Sequence, residues 1–232
     1  MRVGDRLWWR PGLGAGASPA VLGMSYWFTR NELCQEIALK IVEMAQDSRA
    51  WLKWRKKGVG ASESAAILGL NPWSAREDVR LDKLSPDRID EGNEHTRRGK
   101  RLEPVAREMY ETMMGWPMTP VCCVHDDYDF IRASLDGIRD DGRLVLEIKA
   151  PSQRWHQHTL EEGIPDWYAC QVQHQLMVTG APLAHFVSYC PAYKARPYTM
   201  LSVKADPEFQ RILLGQLIAF WSEVEAAVAE QS

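Results

Sequence analysis

The chain has 232 residues, 45% hydrophobic and 25% charged, so it can bury a substantial core and lacks the composition of a disordered or fibrous protein. A formal net charge of −3 and a pI near 6.1 argue against a surface coated with positive charge for indiscriminate nucleic-acid binding, so any contact with a polyanion must be local. The five cysteines, Cys34, Cys122, Cys123, Cys170 and Cys190, contain no C-x-x-C pair, which argues against a disulfide framework or a zinc or iron–sulfur cage and leaves them as buried thiols.

At the start, Arg2, Arg6 and Arg10 are followed by Pro11, Gly12, Gly14, Gly16 and Pro19, an interruption that a signal peptide does not tolerate. Residues 1–30 read as an extension, with Met24 as an alternative start, and residues 31–232 as a single domain. No stretch holds about 18 uninterrupted apolar residues, so the expectation is a cytoplasmic protein without a membrane partner.

In residues 31–44, Leu33, Ile37, Ile41 and Met44 recur at helical spacing behind Asn31, which predicts a capped helix. A short helix led by Ser48 follows and carries Trp51 and Trp54. Residues 58–69 read as a glycine-rich turn, a serine N-cap, a short apolar helix and a glycine stop, and with Arg55 upstream this could cradle a phosphate. Ser74 and Glu77 predict a capping box for a helix to about residue 84, and residues 87–96 a charged loop. From Leu102 onward a helical stripe returns, with Glu103 and Pro104 in its opening turn. Two basic clusters, Lys53/Arg55/Lys56/Lys57 and Arg97/Arg98/Lys100/Arg101, could contact DNA or be solvated helix faces.

The period then changes. Residues 121–124, 130–138 and 144–150 predict neighbouring antiparallel strands, with turns at Asp126-Asp127 and Asp140-Asp141-Gly142. A helix over residues 166–178, strands over 185–190 and 198–203, and a terminal helix over 207–229 complete an α/β or α+β core with a central mixed β-sheet flanked by helices.

Alternation in Leu144-Val145-Leu146-Glu147-Ile148-Lys149 sets Glu147 and Lys149 on one face, with Cα atoms roughly 6 to 7 Å apart. Asp136, just before Gly137 on the preceding strand, can converge with Glu147 on one cation if the strands pair. Phosphodiester hydrolysis needs such a set: hard oxygen ligands hold Mg²⁺, which acidifies a water and neutralises developing charge. Lys149 could orient or deprotonate the water or hold the phosphate, and Glu103 would add a third carboxylate. A bare D-x(10)-E-x-K also arises by chance as a turn acid and an exposed strand pair.

Together with Trp51 to Arg55, Gly58-Val59-Gly60-Ala61-Ser62, Arg98-Gly99, Leu102-Glu103-Pro104, Ser134-Leu135-Asp136-Gly137, Leu146-Glu147-Ile148-Lys149 and Tyr168-Ala169-Cys170-Gln171-Val172-Gln173, the pattern is far more specific. The sequence resembles the phage-type recombination exonucleases, the family of lambda exonuclease and the YqaJ-like viral recombinases within the PD-(D/E)XK nuclease superfamily. Leu135 stands where the superfamily pattern has proline.

The resemblance implies a restriction-endonuclease-like core. It implies Mg²⁺, two ions with Mn²⁺ as substitute, held by Asp136, Glu147 and the carbonyl of Ile148. It assigns Lys149 to the nucleophilic water, Glu103 and Gln171 to supporting roles, and Arg55, Ser62 and Ser134 to phosphate at a 5′ end; Gln173 and Gln175 are weaker candidates. The implied activity is 5′-to-3′ digestion of one strand of double-stranded DNA, leaving 3′ overhangs for recombination. A homotrimeric ring and a single-strand annealing protein as partner follow from the resemblance alone. The alternatives are a structure-specific or restriction-type endonuclease on the same site, and a catalytically silent module that binds DNA ends.

His156, His158 and His174 match no zinc spacing and read as surface or DNA-proximal side chains. Of the ten tryptophans, Trp54, Trp73 and Trp155 are candidates for stacking on unpaired bases, with most of the others expected in the core.

Overall fold

Residues 144–149 supply six consecutive positions that suit a covered strand, and this strand lies in the interior of the sheet. In the computed structural model, which describes residues 39–85 and 93–231, the strands are β1 (Lys40–Val42), β2 (Val59–Gly60), β3 (Thr119–Val124), β4 (Ile131–Ile138), β5 (Leu144–Lys149), β6 (Leu183–Tyr189) and β7 (Tyr198–Lys204). They form one mixed sheet in the order β1-β3-β4-β5-β6-β7, with β2 added in parallel to β4. The pairs β3–β4 and β4–β5 are antiparallel, as the short turns between them dictate, whereas β5–β6 is parallel and is reached by a helical crossover. The helices are α1 (Arg49–Lys56), α2 (Ser64–Ile67), α3 (Arg76–Lys83), α4 (Glu94–Met114), α5 (Gln153–Glu161), α6 (Asp166–Thr179) and α7 (Pro207–Gln231), with a 3₁₀ turn at Ala61–Glu63 before α2. The central mixed sheet flanked by helices matches the sequence-based expectation.

Both faces of the sheet are covered. On one side Ala106 and Tyr110 of α4 pack with Met118 onto Leu144, Leu146 and Ile148 of β5 and Val187 of β6. Helix α6 packs near β4, β5 and β6 together with α2 and α7. It is buried along most of its length, and Gly180 ends it in the left-handed conformation. In α7, Phe209, Leu213, Leu217, Phe220 and Val224 recur at three- and four-residue steps and are buried. By length and composition alone this helix could cross a membrane, but its stripe serves the core.

Close approach fixes two glycines. A Cβ at Gly137 would lie 2.7 Å from Met118 Cβ, and one at Gly58 would lie 2.4 Å from the Phe130 carbonyl oxygen. Gly137 thus fits its expected role beside Asp136, and Gly58 lets β2 lie against β4.

Four local expectations are corrected. Residues 40–42 are a strand paired with β3, not the end of a helix over 31–44, because exposed Ile41 is held by the ladder to Cys123 rather than by a helical stripe; Asn31, Leu33 and Ile37 lie outside the described residues. Helix α4 starts at Glu94, N-capped by Asn93, whose side chain accepts from Thr96 N; residues 94–96 are therefore not loop, and Pro104 lies inside the helix rather than in its first turn. Helix α3 is closed by Asp78 Oδ2 accepting from Ala75 N at 2.7 Å, one residue on from the expected Ser74–Glu77 box. No serine side chain caps α2: Ser62 sits within the 3₁₀ turn and Ser64 is the first residue of α2, while Glu63 Oε2 accepts from Gly60 N at 2.7 Å.

Candidate active site

Strands β4 and β5 pair through Gly137↔Leu146 and Ile138↔Val145, and one further step of this register sets Asp136 against Glu147. Asp136 Oδ2 accepts from the Ile148 amide at 2.7 Å, which ties the two strands together at the carboxylates. Glu147 is only 1% exposed, so the second face of β5 is not open to solvent; α6 covers it. Its Oε1 accepts from Gln171 Nε2 at 2.7 Å and pairs with Lys149 Nζ at 2.5 Å, and its Oε2 accepts from Gln175 Nε2 at 2.5 Å. A buried carboxylate survives only when its lone pairs are satisfied, and this one is held by two amides and an ammonium.

The charges are strongly coupled. Burial, followed by the charges of Glu147 and Glu103, pushes the Asp136 carboxyl well above its ordinary range, against the opposing pull of Lys149 and the Ile148 amide. Burial alone would lower Lys149, but Glu147 and Asp136 overcome it and raise the ammonium above its usual value. Lys149 Nζ also lies 5.3 Å from the centre of the Tyr168 ring. Glu103 lines the same cleft, yet its Oε1 is bound by Arg107 one turn on; burial, opposed by Arg107, raises its carboxyl. Glu103 is close enough for its charge to act on Asp136, although among the described residues no three His, Cys, Asp or Glu groups gather at ligating geometry.

The predicted phosphate residues come to the same cleft. Arg55, Ser62 and Ser134 line it with Asp136, Glu147, Ile148, Lys149 and Gln171. Arg55 Nη2 donates to Ser62 Oγ at 2.8 Å, and its guanidinium lies 4.7 Å from the centre of the Trp51 ring. Trp51 Nε1 in turn donates to Ser134 Oγ at 2.8 Å, so one buried indole links all three predicted residues. Beneath them, buried Lys83 donates to the Arg55 carbonyl at 3.0 Å and to Glu63 Oε1 at 2.7 Å.

The basic clusters have mixed fates. Arg55 and Lys100 line the cleft, Lys100 paired there with Asp47 at 2.7 Å, whereas Lys56 pairs with Asp82 and Arg98 Nη2 donates to the Ala150 carbonyl at 2.8 Å. Lys53, Lys57, Arg97 and Arg101 are exposed.

Sequence reasoning held Gln175 only as a weaker candidate, gave Trp51 and Lys83 no role of their own, and misplaced His174. Gln175 shares a face of α6 with Gln171 because the two are four residues apart, a spacing that could have singled it out. Gln173, two residues on, faces away and binds the Lys204 carbonyl and the Asp206 amide. Trp51 and Lys83 carry no sequence signal beyond burial. His174, expected near the surface, is fully buried, with Nε2 3.0 Å from the Arg132 carbonyl and Nδ1 2.6 Å from Ser64 Oγ. Since a carbonyl only accepts, Nε2 carries the proton and Ser64 donates to Nδ1. Burial lowers His174 to about 3. His156 is likewise buried, between Ser188 Oγ and the Arg196 carbonyl, both at 2.7 Å; only His158 remains partly exposed. All four described cysteines are buried and free, as expected, while Cys34 lies outside the described residues.

Known proteins share the family pattern and the fold. A family model described as the YqaJ-like viral recombinase domain matches residues 50–182, more than half of the chain. An uncharacterized YqaJ protein of Bacillus subtilis (strain 168) is 29% identical over 127 residues, 54% of this chain; the chain covers 40% of that relative's length. The crystal structure of an alkaline exonuclease from Laribacter hongkongensis superposes with a TM-score of 0.69 at 26% identity, over 79% of this chain and 96% of that one. A phage-related exonuclease from Haemophilus somnus 129PT shares the fold, with a TM-score of 0.56 at 14% identity over 75% of this chain and 96% of that one.

Proposed function

The chain belongs to the YqaJ-like viral recombinase domain family, and from that premise we propose that it is a Mg²⁺-dependent exonuclease that digests one strand of duplex DNA from its 5′ end and leaves a 3′ overhang. The observation that carries the reading is the meeting of Asp136, Glu147 and Lys149 with Arg55, Ser62 and Ser134 in one cleft. Side chains of the kinds that hydrolysis and anion binding need would then lie within reach of one phosphate chain, which supports the reading. The likeness to an alkaline exonuclease over nearly its whole length supports the same class.

The donor set fits a hard divalent cation. Two carboxylates, Asp136 and Glu147, with the main-chain carbonyl of Ile148 and water, make the oxygen-only environment that Mg²⁺ takes, and burial followed by the charges of Glu147 and Glu103 raises Asp136, a load on its charged form that a cation would offset. When bound, the metal would acidify the attacking water and neutralise charge on the reacting phosphate. Lys149 presents an ammonium, kept charged by its acidic neighbours, to the scissile phosphate and the incoming water. Gln171 and Gln175 lock Glu147 in one rotamer, so that its geometry is set before substrate arrives. Arg55 and Ser62 offer a guanidinium and a hydroxyl to a terminal phosphate, which carries more charge than an internal one; an endonuclease has no use for such a pocket.

Family membership supports recombination as the setting, a single-strand annealing protein as partner and a homotrimeric ring as assembly. The test of polarity is digestion of a linear duplex labelled separately at each 5′ and 3′ end, beside a closed circle, with Mg²⁺ and with Glu147→Ala as control. Early release of the 5′ label and an intact circle are expected; cleavage of the circle refutes the exonuclease reading.

A further inference from the structure

One aromatic cluster lies outside the cleft and plays no part in the function above. Trp73, Trp155 and Trp167 meet pairwise at ring-centre distances of 5.0 to 5.7 Å and 4.8 Å, all close to perpendicular. Trp167 contacts Tyr168, whose ring carries Lys149 Nζ above it. An unbroken chain of rings therefore leads from the hydrolytic lysine to Trp73.

Trp73 is 62% exposed, the most open of the large apolar side chains described. It is nonetheless held: its amide donates to Asn71 Oδ1 at 2.8 Å, and its ring meets two indoles that stand nearly perpendicular to it. A rigid, braced and exposed aromatic ring costs little entropy to use as a contact surface. Beside it runs an open groove of about 640 Å³ lined in part by Gly69, Asn71, Pro72 and Arg76. The Arg154 guanidinium lies 5.3 Å from the centre of the Trp155 ring, so a cation accompanies the cluster. An aromatic face with a cation at its margin is the chemistry of a single-strand binding surface: the ring takes a base and the cation a phosphate.

We propose that Trp73 is a stacking platform for an unpaired base of the DNA strand that the nuclease spares. The cut strand must occupy the cleft of Asp136, Glu147 and Arg55, and Trp73 is not among the residues that line it. A base on Trp73 lies beyond that cleft, on the far side of Lys149 and Tyr168, where the uncut strand would run. The proposal rests on the nuclease reading above and adds a subsite to it.

The test is the steady-state digestion of a duplex with a 3′ single-stranded extension by wild-type protein and by Trp73→Ala, Trp73→Tyr and Trp73→Leu, with the extension intact or made abasic. Trp73→Ala raises KM by roughly 5- to 150-fold, the range of one base stack, while kcat is kept. Tyr restores the wild-type KM and Leu does not. Abasic residues in the spared strand raise the wild-type KM in the same way and leave Trp73→Ala unchanged. An unaltered KM in Trp73→Ala overturns the platform, as does rescue by Leu as complete as by Tyr, which would indicate an apolar protein contact. Sensitivity to abasic residues in the digested strand alone overturns the assignment of strand. Wild-type protein that digests no duplex removes the nuclease reading itself, a result distinct from all of these.

Discussion

Replacing Lys83 by methionine tests whether the corner proposed to bind phosphate is built on a buried ion pair. Lys83 is 1% exposed at its side chain and Glu63 17%, and the ammonium holds both Glu63 Oε1 and the carbonyl of Arg55. The other oxygen of Glu63 holds the amide of Gly60, so the pair joins α1, α3 and the turn at residues 60–63. Methionine matches the length of the lysine stem but leaves a carboxylate and a carbonyl without their donor. Breaking such a pair costs about 3–5 kcal/mol, and because Glu63 keeps some contact with water the lower end applies. For a domain of this size that is a fall in Tm of about 6–12 °C. Thermal unfolding followed by circular dichroism in metal-free buffer measures it, with Lys83→Met/Glu63→Gln as the second arm. The double variant should recover about half of the loss, since a neutral amide no longer needs a counter-charge and still accepts from Gly60. A single variant within about 1 kcal/mol of wild type, or a double variant no better than the single, would refute the reasoning.

On α6, Gln175→Met removes one charge-assisted bond to Glu147 worth about 1.5–3 kcal/mol, partly offset because Gln175 Oε1 has no partner among the described residues; denaturant melts should show a net loss that shrinks in a Glu147→Gln background. His174 titrates near 3 when folded against 6.5 ordinarily, so below pH 6.5 the unfolded chain takes up the proton first. Its stability contribution is therefore complete above pH 6.5 and is lost as pH falls toward 3, and His174→Gln should flatten the acid limb of the stability profile by up to about 1.4 kcal/mol per pH unit; an unchanged slope counts against a neutral buried histidine. Gly58→Ala should destabilise strongly because its Cβ meets the Phe130 carbonyl at 2.4 Å, while Gly60→Ala, whose nearest neighbour is at 3.6 Å, should melt close to wild type.

What the sequence made legible was governed by periodicity. Strand β5 is buried on both faces, but the two-residue repeat of any strand sets Glu147 and Lys149 on one face, and Asp136 could be expected beside them once β4 and β5 pair. Helix α4 could not be placed in full because residues 94–101 are charged and exposed and offer no apolar stripe, although Asn93 caps them. Three residues of β1 are too few to show any period, and Ile41 joined a helical spacing by chance. Helix α5 was not anticipated because Gln, Arg and His fill residues 153–158 and mask its pattern. The buried histidines were misjudged because their partners, Ser64, Ser188 and two carbonyls, come from distant parts of the chain. A neutral imidazole between a hydroxyl and a carbonyl is a core group, and only tertiary structure reveals both partners.

Release of acid-soluble nucleotide from uniformly labelled linear duplex, with and without Mg²⁺, tests the hydrolytic site most directly when wild-type protein is compared with Asp136→Asn and Lys149→Ala. Metal-dependent release by the wild type, and none by either variant although both still retain duplex ends in a mobility-shift assay, is the predicted result. Release by the variants at the wild-type rate, or by the wild type in the presence of a chelator, contradicts a metal site built from Asp136 and Glu147 with Lys149 at its edge.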